Sequence, residues 1–120
     1  MRRTVFERNG GFASVNRVVM AFYEKVLESP VTSAYFAHTD MRTLIDHQTR
    51  FIASMMGGPA SYTNDHLERV HARLGITEEA FHEVVSLLTE ALEDHNYSDE
   101  DIQVVSDEIM SRKRYIVTRS

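Results

Sequence analysis

The sequence predicts an all-α fold, and three observations carry that expectation. Apolar residues recur at three- and four-residue spacing through most of the chain. The 5 Gly and 2 Pro fall between the periodic segments rather than inside them. No stretch sustains the alternation of a half-buried strand, and no repeat or low-complexity segment recurs. With 120 residues, 42% apolar and 26% charged, the chain suits one domain over 1–120 with a core of its own.

The elements follow in order. A short first segment stops at Asn9-Gly10-Gly11. Ser14 is a good N-cap for a helix with Val15, Val18, Val19, Phe22 and Val26 on one face, running to Glu28 before Ser29-Pro30 breaks it. A turn of helix covers Ser33 to Ala37. Asp40 caps a third helix with the stripe Met41, Leu44, Ile45, Gln48, Phe51, Ile52 and Met55, ended by Gly57-Gly58-Pro59. A loop through Tyr62-Thr63-Asn64 leads to a brief helix with Leu67, Val70, His71 and Leu74 on one side, closed by Gly75. Thr77 caps a long helix carrying Phe81, Val84, Val85, Leu88, Ala91 and Leu92. Ser98 caps the last, with Ile102, Val105, Ile109 and Ile116 inward.

Composition removes several classes of function. There is no Cys, which excludes disulfide frameworks, Cys-ligated zinc, iron–sulfur clusters and thiol catalysis. The 6 His leave imidazole as the natural ligand for a metal or cofactor. A net charge of −5 argues against nucleic-acid binding. Arg112, Lys113, Arg114 and Arg119 cluster, and are read as cations complementing the end of the last helix rather than as a phosphate site. The longest apolar run, Val18 to Tyr23, is far short of the roughly 20 residues of a membrane span. Glu7 and Arg8 interrupt any signal-peptide pattern, and a Cys-free chain fits the cytoplasm.

Polar residues inside apolar stripes carry the most information. Gln48 stands between Ile45 and Ile52, His71 beside Val70 and Leu74, and Tyr23 between Val19 and Val26. A buried amide, imidazole or phenol needs a partner or costs about 1–3 kcal/mol. The residues alone leave two readings for each. His71 is a core histidine bonded to a backbone carbonyl, or a ligand to a metal or haem. Gln48 bridges two helices, or serves a site. His47, at the edge of its stripe, reads as exposed. Glu68-x-x-His71 and Glu79-x-x-His82 resemble the pairs of di-iron bundles, but the other stripes offer no inward carboxylate to complete such a site. His82-Glu83 lacks the second His of a zinc protease, and neither a nucleophile elbow nor a phosphate loop occurs.

Taken in order, several short runs resemble the group I truncated haemoglobins, the two-over-two helical globins. They are Phe6-Glu7 with Gly10-Gly11, Phe22-Tyr23-Glu24-Lys25-Val26, Tyr35-Phe36-Ala37 with Thr39-Asp40-Met41, and His47-Gln48-Thr49-Arg50-Phe51. Gly57-Gly58-Pro59, Tyr62-Thr63 and His71-Ala72-Arg73-Leu74-Gly75-Ile76-Thr77 complete the series. The likeness spans roughly residues 4 to 117, and it is similar to the cyanobacterial-type branch at His47-Gln48.

The resemblance implies a two-over-two helical sandwich around non-covalent haem b. His71 becomes the proximal iron ligand. Phe36 wedges against the porphyrin, and Phe22, Leu44, Phe51, Leu67, Leu74, Ile76 and Phe81 complete its pocket. Tyr23 and Gln48 become the distal pair that hydrogen-bonds a diatomic ligand, and His47 a candidate sixth ligand. The chain also departs from the family. Its last His is His95, so the C-terminal His that tethers haem in that branch is missing. Ile52 stands where some members gate a tunnel with Phe, and Leu44 where others carry Gln. The absence of Trp argues against group II.

Three functions are weighed. The first is reversible binding of O2, with NO and CO as further ligands. The second is enzymatic: oxidation of NO to nitrate with an external reductase, or weak peroxidase activity. The third is a haem-free helical interaction domain, which leaves Tyr23, Gln48 and His71 without a shared purpose. The expected assembly is a monomer or weak dimer.

Overall fold

The computed structural model describes residues 3–58 and 75–117. The expected loop at Tyr62-Thr63-Asn64 and the brief helix with Leu67, Val70, His71 and Leu74 lie outside the described residues.

Helix α1, Val5–Arg8, begins with a capping box. Thr4 Oγ1 accepts from the Glu7 N–H and the Glu7 carboxylate accepts from the Thr4 N–H, both at 3.1 Å. Helix α2 spans Gly11–Glu28, three residues earlier than the expected cap at Ser14. The reason is Gly10, whose φ of 103° turns the chain directly from α1 into α2. Ser14 therefore lies inside the helix, where its hydroxyl meets the Tyr97 hydroxyl at 2.9 Å. Ser29 and Pro30 end α2 as expected.

A 3-10 turn, Ser33–Phe36, follows, one residue shorter than expected. Helix α3 is Met41–Met55, with Asp40 Oδ1 accepting from the N–H groups of Arg42 and Thr43 at 3.1 and 3.4 Å. Helix α4, Glu78–Asp94, is capped by Thr77, and α5, Asp99–Ser111, by Ser98.

The last expected helix is broken in two. A separate turn, α6, covers Lys113–Ile116. Arg112 stands at the break, and its own side chain takes the Glu108 carbonyl, Nη1 to O at 2.7 Å. That carbonyl is the one its backbone N–H would take in a continuing α-helix, and the N–H bonds Ile109 O instead, at 3.0 Å.

Helix α2 is the centre of the core. Val15, Val18, Val19 and Val26 on it are 0% exposed. Each such side chain contributes about 1.5–3 kcal/mol of burial. Helix α2 packs on α3 and crosses α4, α4 packs on α5, and α3 reaches α5. Two helix pairs, α2–α3 and α4–α5, thus form two layers, with Phe81, Leu88, Leu92 and Val105 filling the space between them. Asp101 ties the N-terminal segment to α5 by accepting from Arg8 and from Asn9 Nδ2. Among the described residues, no helix is long and apolar enough to cross a membrane.

Candidate functional site

A cavity of about 660 Å³ opens between the layers. Its walls come from α2, the 3-10 turn, α3, the start of α4 and the α5–α6 junction. The size falls within the roughly 300–1,000 Å³ of small-molecule and cofactor sites. The lining is mainly aliphatic and aromatic, because the inward stripes of four elements converge here.

Nine residues singled out from the sequence line this one cavity: Phe22, Tyr23, Phe36, Leu44, His47, Gln48, Phe51, Ile76 and Phe81. The other three, Leu67, His71 and Leu74, lie outside the described residues. Ile52 is buried and also on the wall.

Tyr23 is fixed by its neighbours. Its ring meets Phe22 at 4.7 Å and Phe36 at 5.8 Å between centroids, both edge-on. Only 6% of the residue is exposed. Burial pushes the Tyr23 phenol well above its ordinary pKa, so it keeps its proton and can donate. Neither its hydroxyl nor the Gln48 amide has a hydrogen-bond partner among the described residues. The helix–helix bond that would explain Gln48 structurally is therefore absent among those residues. His47 lies at the rim and is exposed, as its edge position predicts.

Among the polar lining residues that the sequence reading did not place in the site, two stand out, Tyr35 and Arg112. Tyr35 lines the cavity and donates its hydroxyl to the Gly75 carbonyl at 3.4 Å. Arg112 also lines it, although sequence alone placed it in a helix-end charge cluster. A signal did exist: Arg112 falls three residues after Ile109 and four before Ile116, on the inward stripe itself. Of the rest of that cluster, Lys113 pairs with Glu78 of α4 at 3.2 Å and Arg114 stacks over Tyr115 at 4.8 Å, while Arg119 lies outside the described residues.

Among the described residues, the remaining histidines, His38, His82 and His95, do not line the cavity, and His66 lies outside the described residues. His38 and His82 are exposed, and His95 is half-buried with Nδ1 2.7 Å from the Ala91 carbonyl oxygen. Glu79 is exposed beside His82, and no cluster of three or more metal-ligating side chains occurs among the described residues.

Comparisons with known proteins agree with this architecture. Residues 4–117 match the family described as bacterial-like globin. A group 1 truncated hemoglobin of Mycolicibacterium paratuberculosis is 36% identical over 74% of this chain and 65% of its own length, so the chain spans just under two thirds of that relative. A group 1 truncated hemoglobin of Tetrahymena thermophila is 30% identical over 82% of each chain. The Fe(III) truncated hemoglobin of Tetrahymena pyriformis superposes with a TM-score of 0.88, covering 96% of this chain and 98% of its own at 24% identity. The 2/2 hemoglobin of Synechococcus sp. PCC 7002, in its cyanomet state with covalently attached heme, gives 0.88 at 25% identity, covering 98% of this chain and 100% of its own.

Proposed function

This chain belongs to the bacterial-like globins, as a group I truncated haemoglobin, and on that premise we propose that it binds haem in the cavity and takes O2 reversibly there. One observation carries the reading. Two hydrogen-bonding groups, Tyr23 Oη and the Gln48 amide, line an apolar cavity without a protein partner among the described residues. A ligand that accepts from both would gain two hydrogen bonds that the protein leaves unfilled, each worth about 1.5–3 kcal/mol when the acceptor carries charge.

The residues fit haem. Phe36, Phe51 and Phe81 offer flat apolar surface for a porphyrin, and His71, outside the described residues, is the proposed iron ligand. When bound, the cofactor would supply an iron able to take a diatomic ligand. The chain supplies the rest. Tyr23 is held in place by Phe22 and Phe36, and Gln48 by its position on α3. Both could donate to negative charge on a bound diatomic, where charge-assisted bonds are stronger than neutral ones. Leu44 and Ile52 contribute apolar wall that limits water. NO and CO are ligands of the same size and class. A nitrate-forming reaction of NO would use the same pocket and need an external reductase.

Haem is held here without a covalent tether. The C-terminal stretch that lines the cavity offers Ile109, Arg112 and Ile116, and His95 turns instead to a carbonyl of its own helix. Acid butanone should therefore extract all of the cofactor. His47, at the rim, is proposed as a sixth ligand when no diatomic is present. A deoxy ferrous spectrum with only five-coordinate high-spin bands rejects that role.

The test of the main reading is optical. The purified chain should show a Soret band, and His71→Ala should lose it or release haem far faster. A chain that takes up no haem overturns the proposal.

A further inference from the structure

The geometry points to Arg112 as the residue that grips a carboxylate of the bound cofactor, through the edge of its guanidinium that the protein leaves free. This rests on the haem reading above and goes beyond it, to how the porphyrin is oriented.

Arg112 is the one lysine or arginine on the cavity wall among the described residues. Its side chain is 25% exposed, so it stands at the mouth rather than in open solvent. The break between α5 and α6 puts it there, with Ile109 and Ile116 on the same wall.

Only one corner of the guanidinium is in use. Nη1 donates to the Glu108 carbonyl and to Glu108 Oε2, each at 2.7 Å, and approaches Ser111 Oγ at 3.4 Å. Nε and Nη2 have no partner among the described residues. A guanidinium carries five donors in a rigid plane, and its free edge matches the two oxygens of a carboxylate. Holding Nη1 fixes the plane in advance, which lowers the entropy lost when a ligand pairs with the other edge.

Apart from Glu108, which pairs with Nη1 and leaves the Nε–Nη2 edge open, Arg112 meets no competing anion on the wall among the described residues. Asp40, the one carboxylate that lines the cavity among the described residues, is committed to its own helix cap, accepting from Arg42 N, Thr43 N and Thr43 Oγ1. Haem b carries two carboxylates on one edge of an otherwise apolar disc. A single forked cation at the mouth of an apolar cavity suits that distribution of charge.

The test compares haem with its dimethyl ester, which has the same ring and no free carboxylate. Both are loaded into wild type, Arg112→Gln and Arg112→Lys, and transfer to an excess of apomyoglobin is timed. Haem should leave Arg112→Gln at least about tenfold faster than wild type, the equivalent of about 1.4 kcal/mol. The ester should leave both at the same rate. Equal haem loss from wild type and variant overturns the assignment. So does an equal acceleration for haem and ester, because that is a packing effect. Should Arg112→Gln lose its helical circular dichroism, Arg112→Lys decides: faster loss of haem with unchanged loss of ester supports the forked pairing, and any other pattern overturns it. Absence of a Soret band in wild type overturns the haem reading itself, which no Arg112 result does.

Discussion

The ring of Tyr23 stands edge-on to that of Phe36, with centroids 5.8 Å apart and planes at 78°. The contact joins α2 to the 3-10 turn and needs only the ring. The hydroxyl is left for the cavity.

That separation makes Tyr23→Phe a clean substitution. It should leave Tm within a few degrees of wild type, because the ring packing stays and no protein hydrogen bond is lost among the described residues. Dissociation of O2 should speed up by about tenfold or more, since about 1.4 kcal/mol corresponds to one decade. Stopped-flow displacement of O2 by CO reads the rate, and an unchanged rate removes Tyr23 from the ligand site.

The Ser14–Tyr97 pair should be worth measuring as a buried hydrogen bond. Both residues are nearly inaccessible, at 6% and 5% exposed. Burial raises the Tyr97 pKa even though Ser14 favours the charged form, so the phenol stays protonated at neutral pH. Tyr97→Phe should cost about 1–3 kcal/mol by leaving the Ser14 hydroxyl unpaired. Thermal melts of this variant, Ser14→Ala and the double variant give the coupling directly. Strict additivity of the two singles contradicts the pairing.

Asp101 sets an acid limit on stability. Burial favours its neutral form, but the hydrogen bonds from Asn9 and Arg8 outweigh it and hold the carboxyl below its ordinary range. The folded pKa is therefore lower than the unfolded value of about 3.9. Its contribution is fully present above that unfolded value and is lost as pH falls through the folded one. Asp101→Asn should destabilise at pH 7, with the gap to wild type closing below about pH 4. Urea melts across that range would read it. A gap independent of pH contradicts the assignment.

Gly57 tests backbone fit. Its φ is 88°, and an added Cβ would lie 2.9 Å from Thr4 Cβ and Cγ2. Thr4 is also the cap of α1, so it cannot move without loosening that turn. Gly57→Ala should cost about 1–3 kcal/mol. A denaturant midpoint equal to that of wild type contradicts this account.

Much of this protein can be read from sequence, and the readable part is the local part. Asp40, Thr77 and Ser98 mark helix starts because an N-cap acts on N–H groups two or three residues away. Tyr23 and Gln48 stand out because a polar residue on an apolar stripe is anomalous whatever surrounds it. Ser14 misled because the partner that claims its hydroxyl is 83 residues away, and no neighbouring residue announces it.

Tertiary structure decided the rest. The stripes of α2, α3 and α4 were each legible, but only their convergence produced one cavity from residues as distant as Phe22 and Phe81. That Tyr23 and Gln48 find no protein partner among the described residues depends on what every other element does, and a single helix cannot record it. Arg112 shows the boundary most clearly. A cation at a helix end is satisfied by local electrostatics, so sequence gives it a sufficient explanation. The fold ends the helix at that residue, with the backbone N–H on Ile109 O and the side chain on the Glu108 carbonyl, and sets its side chain on the cavity wall.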